Sequence, residues 1–274
     1  MRPTRRLLLV LTVALTAAGC SKDAGPFETE KVPLAYTRFV NAVPDTSAMD
    51  YRFVDQVENS PVTLGLQFRQ FTPYQGTGVG PRHIRVFPTS TDINVTTQIV
   101  LDTTFTFEAN TYYTIAHVGY TRTGQSPADK FVIIKDDPQS PGGTSVAVRA
   151  INLGTGLGAV DLFASATGGS DPLPADPTFA NIAFGSATNY SMRPTGAFVI
   201  RATAAGTRTP VLADVGAPAG LPADPGLNLT AVGGSGQAGS ALVAILMPRS
   251  VAGSAAASFS TPGIVYVVDK NPPR

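Results

Sequence analysis

Residues 36–55 read YTRFVNAVPDTSAMDYRFVD. Met49, Tyr51 and Phe53 alternate with Asp50 and Arg52, the period of a strand buried on one face. Val43-Pro44-Asp45-Thr46 supplies turn chemistry between that strand and the one before it. The pattern returns at residues 148–163 as VRAINLGTGLGAVDLF, where Arg149, Asn152 and Asp161 stand where Arg38, Asn41 and Asp50 stood. A strand–turn–strand motif stated twice predicts a module stated twice.

The echo continues downstream. Residues 68–74 (FRQFTPY) match 184–190 (FGSATNY), and 83–86 (HIRV) match 199–202 (VIRA). Val100-Leu101 then matches Val211-Leu212, and residues 113–116 (YTIA) are aligned with 228–231 (NLTA). Repeats of this size are tandem domains, because solenoid units run roughly 20–50 residues. Strand-length apolar segments between turn signals, with no sustained helical period, predict an all-β chain. The expected organisation is a signal peptide (1–19), a lipidated tether (20–34), β-sandwich one (35–137), a Pro/Gly/Asp linker (138–144), β-sandwich two (145–250) and a C-terminal extension (251–274). Each sandwich has its own apolar strand set and is expected to fold alone. Two segments compete for the last strand of module two. Residues 241–247 read ALVAILM, while 264–268 (IVYVV) resemble 131–134 (FVII).

The leader gives an address. MRPTRR is a basic n-region, residues 7–18 are an apolar run too short to span a bilayer, and Ala17-Ala18-Gly19-Cys20 follows. This resembles a bacterial lipobox, which implies diacylglyceryl transfer to the Cys20 sulfur and anchoring in a membrane. Cys20 is the only cysteine in the chain, so no internal disulfide forms. Ser21 after the cysteine resembles sorting to the outer membrane. Residues 21–33 read as a polar tether. Without the leader arginines the chain holds 17 basic and 19 acidic groups, which leaves no basic footprint for nucleic acid.

The motifs at residues 38–45 (RFVNAVPD), 48–51 (AMDY), 184–190 and 198–207 (FVIRATAAGT) resemble the bacterial domain-of-unknown-function family 4397. That resemblance implies exported, often lipid-anchored, immunoglobulin-like sandwiches and no assigned activity. It covers about residues 35–250, with Asn41 and Asn152 at the place of the family's usual histidine.

Candidate chemistry is sparse. His83 and His117 fall in strands of module one, aligned with Val199 and Val232, and no G-x-S-x-G elbow is present. A zinc or iron site lacks ligands, since Cys20 is committed to lipid and two histidines do not close a site. Asp50 and Asp161 read as strand-end hydrogen-bond acceptors that fix a turn, with calcium ligation as the functional alternative. GTGVG (76–80) and GTGLG (154–158) have no helix after them to cradle phosphate. Residues 27–131 hold 15 of the 22 Phe and Tyr residues, which means either a better-packed core or an exposed patch for a glycan or protein. Tyr74, Phe71 and Asp50 are the candidate binding residues. The expected function is a lipid-anchored cell-envelope protein without catalysis or cofactor, acting as a binding or structural module through residues 70–81, with module two as spacer. The alternative is an extracytoplasmic enzyme or calcium-dependent carbohydrate binder using module-one loops around Asp50 and His83.

Overall fold

Met49, Tyr51 and Phe53 are buried in one strand, as their alternation predicts. The computed structural model describes residues 32–273. The signal peptide, Cys20 and most of the tether lie outside the described residues. The chain from Pro33 onward is one compact unit.

Sandwich one contains β1 (Leu34–Asn41), β2 (Met49–Phe53), β3 (Thr63–Leu66), β4 (Gln75–Gly78), β5 (Gly80–Pro88), β6 (Leu101–Phe107), β7 (Tyr112–Val118) and β8 (Lys130–Asp136). One helical turn, α1 (Ile93–Thr96), joins β5 to β6. Sandwich two repeats the set as β9 (Ser145–Asn152), β10 (Val160–Ser165), β11 (Phe179–Ile182), β12 (Ser191–Pro194), β13 (Val199–Ala204), β14 (Ala213–Gly216), β15 (Ala241–Met247) and β16 (Gly263–Lys270). The four sheets run β4-β1-β7-β8 and β3-β2-β5-β6, then β12-β9-β15-β16 and β11-β10-β13-β14. Each sandwich is the same eight-strand plan. β1 lies parallel beside β7, and β9 parallel beside β15. That order departs from the seven-strand immunoglobulin constant type, where the first strand joins the sheet of the second.

Register corrects two alignments. The partner of Asn41 on β7 is His117, and that of Asn152 on β15 is Leu246. The counterpart of residues 113–116 is therefore in β15, not at 228–231. Residues 241–247 and 264–268 are both strands, the seventh and eighth of sandwich two. The C-terminal extension is an integral part of its sheet.

The two sandwiches are not separate bodies. One core lies between the sheets of sandwich one, around Phe39, Tyr51, Ile84 and Ile115. A second lies in sandwich two, around Val148, Leu162, Ile200 and Leu246. A third joins them: Val40, Ala116 and Val118 pack with Ile151, Val243, Ile245 and Met247. These residues belong to β1, β7, β9 and β15, so the two sheets containing those strands face each other. The result is four layers, with the inner two apolar on both faces. Continuous burial of β15 and near-continuous burial of β9 follow from that position.

Both inner sheets start at the same end of the molecule. Arg38 of β1 reaches Asp269 at the end of β16, and Arg149 of β9 reaches Asp136 at the end of β8. We call this the entry end, since β1 begins there. The loops after β1, β7, β9 and β15 lie at the far end.

Candidate functional site

The two copies of each repeated polar residue do the same work. The Asn41 amide donates to the Leu66 carbonyl (2.9 Å), and its oxygen accepts from the Val43 amide (3.1 Å). Asn152 donates to the Ile182 carbonyl (2.9 Å) and accepts from the Gly154 amide (3.0 Å). Asp50 accepts from the Gly65 amide (2.9 Å), the Thr89 hydroxyl and Arg52 (2.8 Å). Asp161 accepts from the amides of Asn181 (2.6 Å) and Gly206 (2.8 Å). Burial pushes the Asp50 carboxyl up, but the hydrogen bonds from Thr89, Gly65 and Arg52 outweigh it and hold the group below the usual carboxylate range.

Tyr74 lies away from any far-end loop. Its ring is half-buried, sits under the Arg38 guanidinium at 4.5 Å, and meets Tyr112 edge-on at 5.0 Å. Its hydroxyl donates to Asp136 (2.7 Å). Tyr190 mirrors it, donating to Asp269 with Arg149 over its ring at 5.2 Å. Arg38 and Arg149 thus cross between the inner sheets onto Asp269 and Asp136, each carboxylate also taking a tyrosine hydroxyl. Thr114 completes the set, accepting from Arg38 Nε (2.7 Å) and donating to Asp136. Burial drives both tyrosine pKa values far up. This cluster braces the layers. Phe71 is partly exposed at a bridge to Val40. Phe71, Tyr74 and Asp50 do not converge on one surface, since Asp50 is on β2 of an outer sheet.

The histidines are engaged. His117 is buried, with its ring nitrogens 3.3 Å from the Tyr51 hydroxyl and 3.1 Å from Asp129. His83 pairs with Asp102 on the outer face of β5 and β6, beside Arg85. Among the described residues no group of three His, Cys, Asp or Glu side chains could hold a metal ion. The aromatic excess of module one is accounted for by ring packing in its core: Phe39 with Tyr51 at 5.0 Å, and Phe107 with Tyr113 at 5.1 Å.

A cleft of about 730 Å³ opens at the far end. Both modules build it. Tyr120 comes from the loop after β7; Thr155 and Leu157 follow β9; Arg249, Phe259 and Pro262 come from the loop between β15 and β16. That loop crosses onto module one. The Val251 amide donates to the Pro44 carbonyl (2.9 Å), and Phe259 lies edge-on to Phe68 (5.8 Å) with the Arg69 guanidinium 4.2 Å above its ring. Arg69 also donates to the carbonyls of Pro248 and Thr261, and burial lowers its pKa to about 10, so it is charged at neutral pH. Arg249 is exposed and makes no hydrogen bond or ion pair among the described residues. The sequence reading missed this cleft, because its walls come from segments remote in the chain.

Residues 35–163 match the family model described as Domain of unknown function (DUF4397). That segment, just under half of the chain, is similar to the DUF4397 family. The matched segment covers sandwich one from the second residue of β1 and runs on through β9 and most of β10. The DUF4397 match thus extends past the linker, into β9, whose Ile151 joins the shared core, and into β10, which faces the core of sandwich two. No curated protein matches the chain.

Proposed function

We propose that the protein is a lipid-anchored, non-catalytic binding module of the bacterial cell envelope, which holds a protein or glycan ligand in its far-end cleft. The observation that carries this reading is the position of the cleft. It opens at the end opposite the start of β1, so a chain tethered through Cys20 would turn it away from the membrane. Its size suits a ligand, within the roughly 300–1,000 Å³ of small-molecule sites. Arg249 offers a free cation, and Tyr120 and Phe259 offer apolar surface with rigid geometry. Outer-membrane placement rests on Ser21 after the lipobox.

An enzyme, or a calcium-dependent carbohydrate binder around Asp50 and His83, has less support. The Asp50 oxygens are taken by three protein donors, and the hydrogen-bond partners of the two histidines are Asp102, Asp129 and Tyr51.

Two experiments test the proposal. Wild-type protein should label with palmitate and partition into detergent, and Cys20→Ala should do neither; a labelled mutant would sink the anchor. Affinity capture from solubilised envelopes should retain a ligand that Arg249→Glu and Tyr120→Ala both release while melting like wild type. Equal capture by all three proteins would sink the cleft.

A further inference from the structure

Module two carries an insertion that module one lacks. Residues 108–111 join β6 to β7, whereas residues 217–240 join β14 to β15. The longer connection forms an arm at the entry end. Leu221 and Val232 pair through two backbone hydrogen bonds (3.0 and 2.9 Å), and Asp224 and Leu229 through two more (3.0 and 2.9 Å). The tip is a 3-10 turn, Pro225–Leu227, capped by the Asp224 carboxylate, which accepts from the amides of Gly226 (3.0 Å) and Leu227 (3.3 Å). At the base the two sides meet backbone to backbone: a Cβ on Gly234 would lie 2.1 Å from the Gly220 nitrogen. The arm is therefore built and fixed, not a slack loop.

Its side chains are apolar and face solvent. Leu221, Leu227, Leu229 and Val232 are 64%, 70%, 57% and 49% exposed, and every residue from 221 to 230 is exposed. Asp224, used by the cap, is the one ionisable residue between 218 and 235. Leucines held out on an ordered element whose one carboxylate is used by the cap mark a contact surface.

The location says what covers it. The arm and the start of β1 share the entry end. Residues 21–33 separate that start from Cys20, and a chain of that length spans at most about 45 Å. We propose that the arm is a bilayer contact, with Leu227 and Leu229 entering the interfacial zone of the membrane in which the protein is anchored. This rests on the anchoring proposed above. Among the described residues no helix is long and apolar enough to cross a membrane, so the contact is shallow. The arm has no Lys or Arg to seek anionic headgroups, so the contact is apolar and insensitive to salt.

The chain has no tryptophan, so Leu227→Trp gives a unique fluorophore. The full lipidated protein is reconstituted into phosphatidylcholine vesicles whose acyl chains carry bromine. The expected result is a blue-shifted, strongly quenched emission, the same at low and high salt. Ile93→Trp, exposed at the far end, should float with the vesicles and stay unquenched. Flotation without quenching at position 227 overturns the arm contact, leaves the anchor standing and points to a protein occupant. Quenching that high salt abolishes overturns the apolar mode of contact. Failure of both variants to float overturns the anchor, and the arm contact with it.

Discussion

The carboxylate of Asp50 closes a knot between β2, β3 and the chain after β5, through Arg52, Gly65 and Thr89. Removing it takes away three hydrogen bonds to a buried carboxylate, so Asp50→Ala should cost about 1.5–3 kcal/mol, read as a lower melting temperature. The pH dependence has a definite sign. The folded-state pKa lies below the unfolded one, so the stabilisation is complete above about pH 4 and is lost as pH falls through the depressed folded value. Wild type and Asp50→Asn should differ most at neutral pH and converge in acid; a gap that widens in acid would refute this role. The inner cluster is costlier to break. Arg149→Leu leaves the buried Asp136 and Asp269 with Arg38 as their one remaining cation, and such a loss costs about 3–5 kcal/mol. Tyr74→Ala should likewise lower stability while leaving ligand capture by surviving folded protein intact. The sequence revealed these residues as a repeat, since Arg38, Asn41 and Asp50 recur. It did not reveal that the arginines cross between modules, because repetition carries no information about how copies pack.

Elements tell a similar story. β2 alternates because one face of its sheet meets solvent. ALVAILM in β15 does not alternate, because its sheet is covered on both sides. That run was visible in the sequence and is the mark of an inner layer, although a continuous apolar segment is equally what a buried helix shows. The insertion at residues 217–240 hid the correspondence of β15 to β7, by making 228–231 fall at the counted distance. β16 supplies Ile264 to the core of sandwich two and Val267 to the shared core. Deleting residues 261–274 should therefore lower the melting temperature of the whole chain, by roughly 2–4 °C for each kcal/mol lost. An unchanged melt would mean β16 contributes no stability.

At the scale of the molecule, the third core makes two sandwiches one unit. It argues against the expectation that each folds alone. Residues 34–137 by themselves would leave Val40, Ala116 and Val118 facing water. The full chain should melt in a single calorimetric transition, and residues 34–137 should associate or bind a hydrophobic dye. Two separate transitions would show the shared core to be weak. The far-end cleft belongs to this scale too, since neither module alone has all of its walls.

The direction of β1 has a mechanical consequence. Under the proposed anchoring, a ligand tugged at the far end pulls against the lipid along the axis of β1. β1 is not an edge strand. It lies between β4 and β7, so its ladders on both sides are sheared along their length and must yield together. An edge strand pulled from its end would instead peel one hydrogen bond at a time. In single-molecule pulling between residues 33 and 155, the expected trace is one rupture at high force, governed by the unfolding rate. The strand by which the chain enters its fold is then also its tensile member.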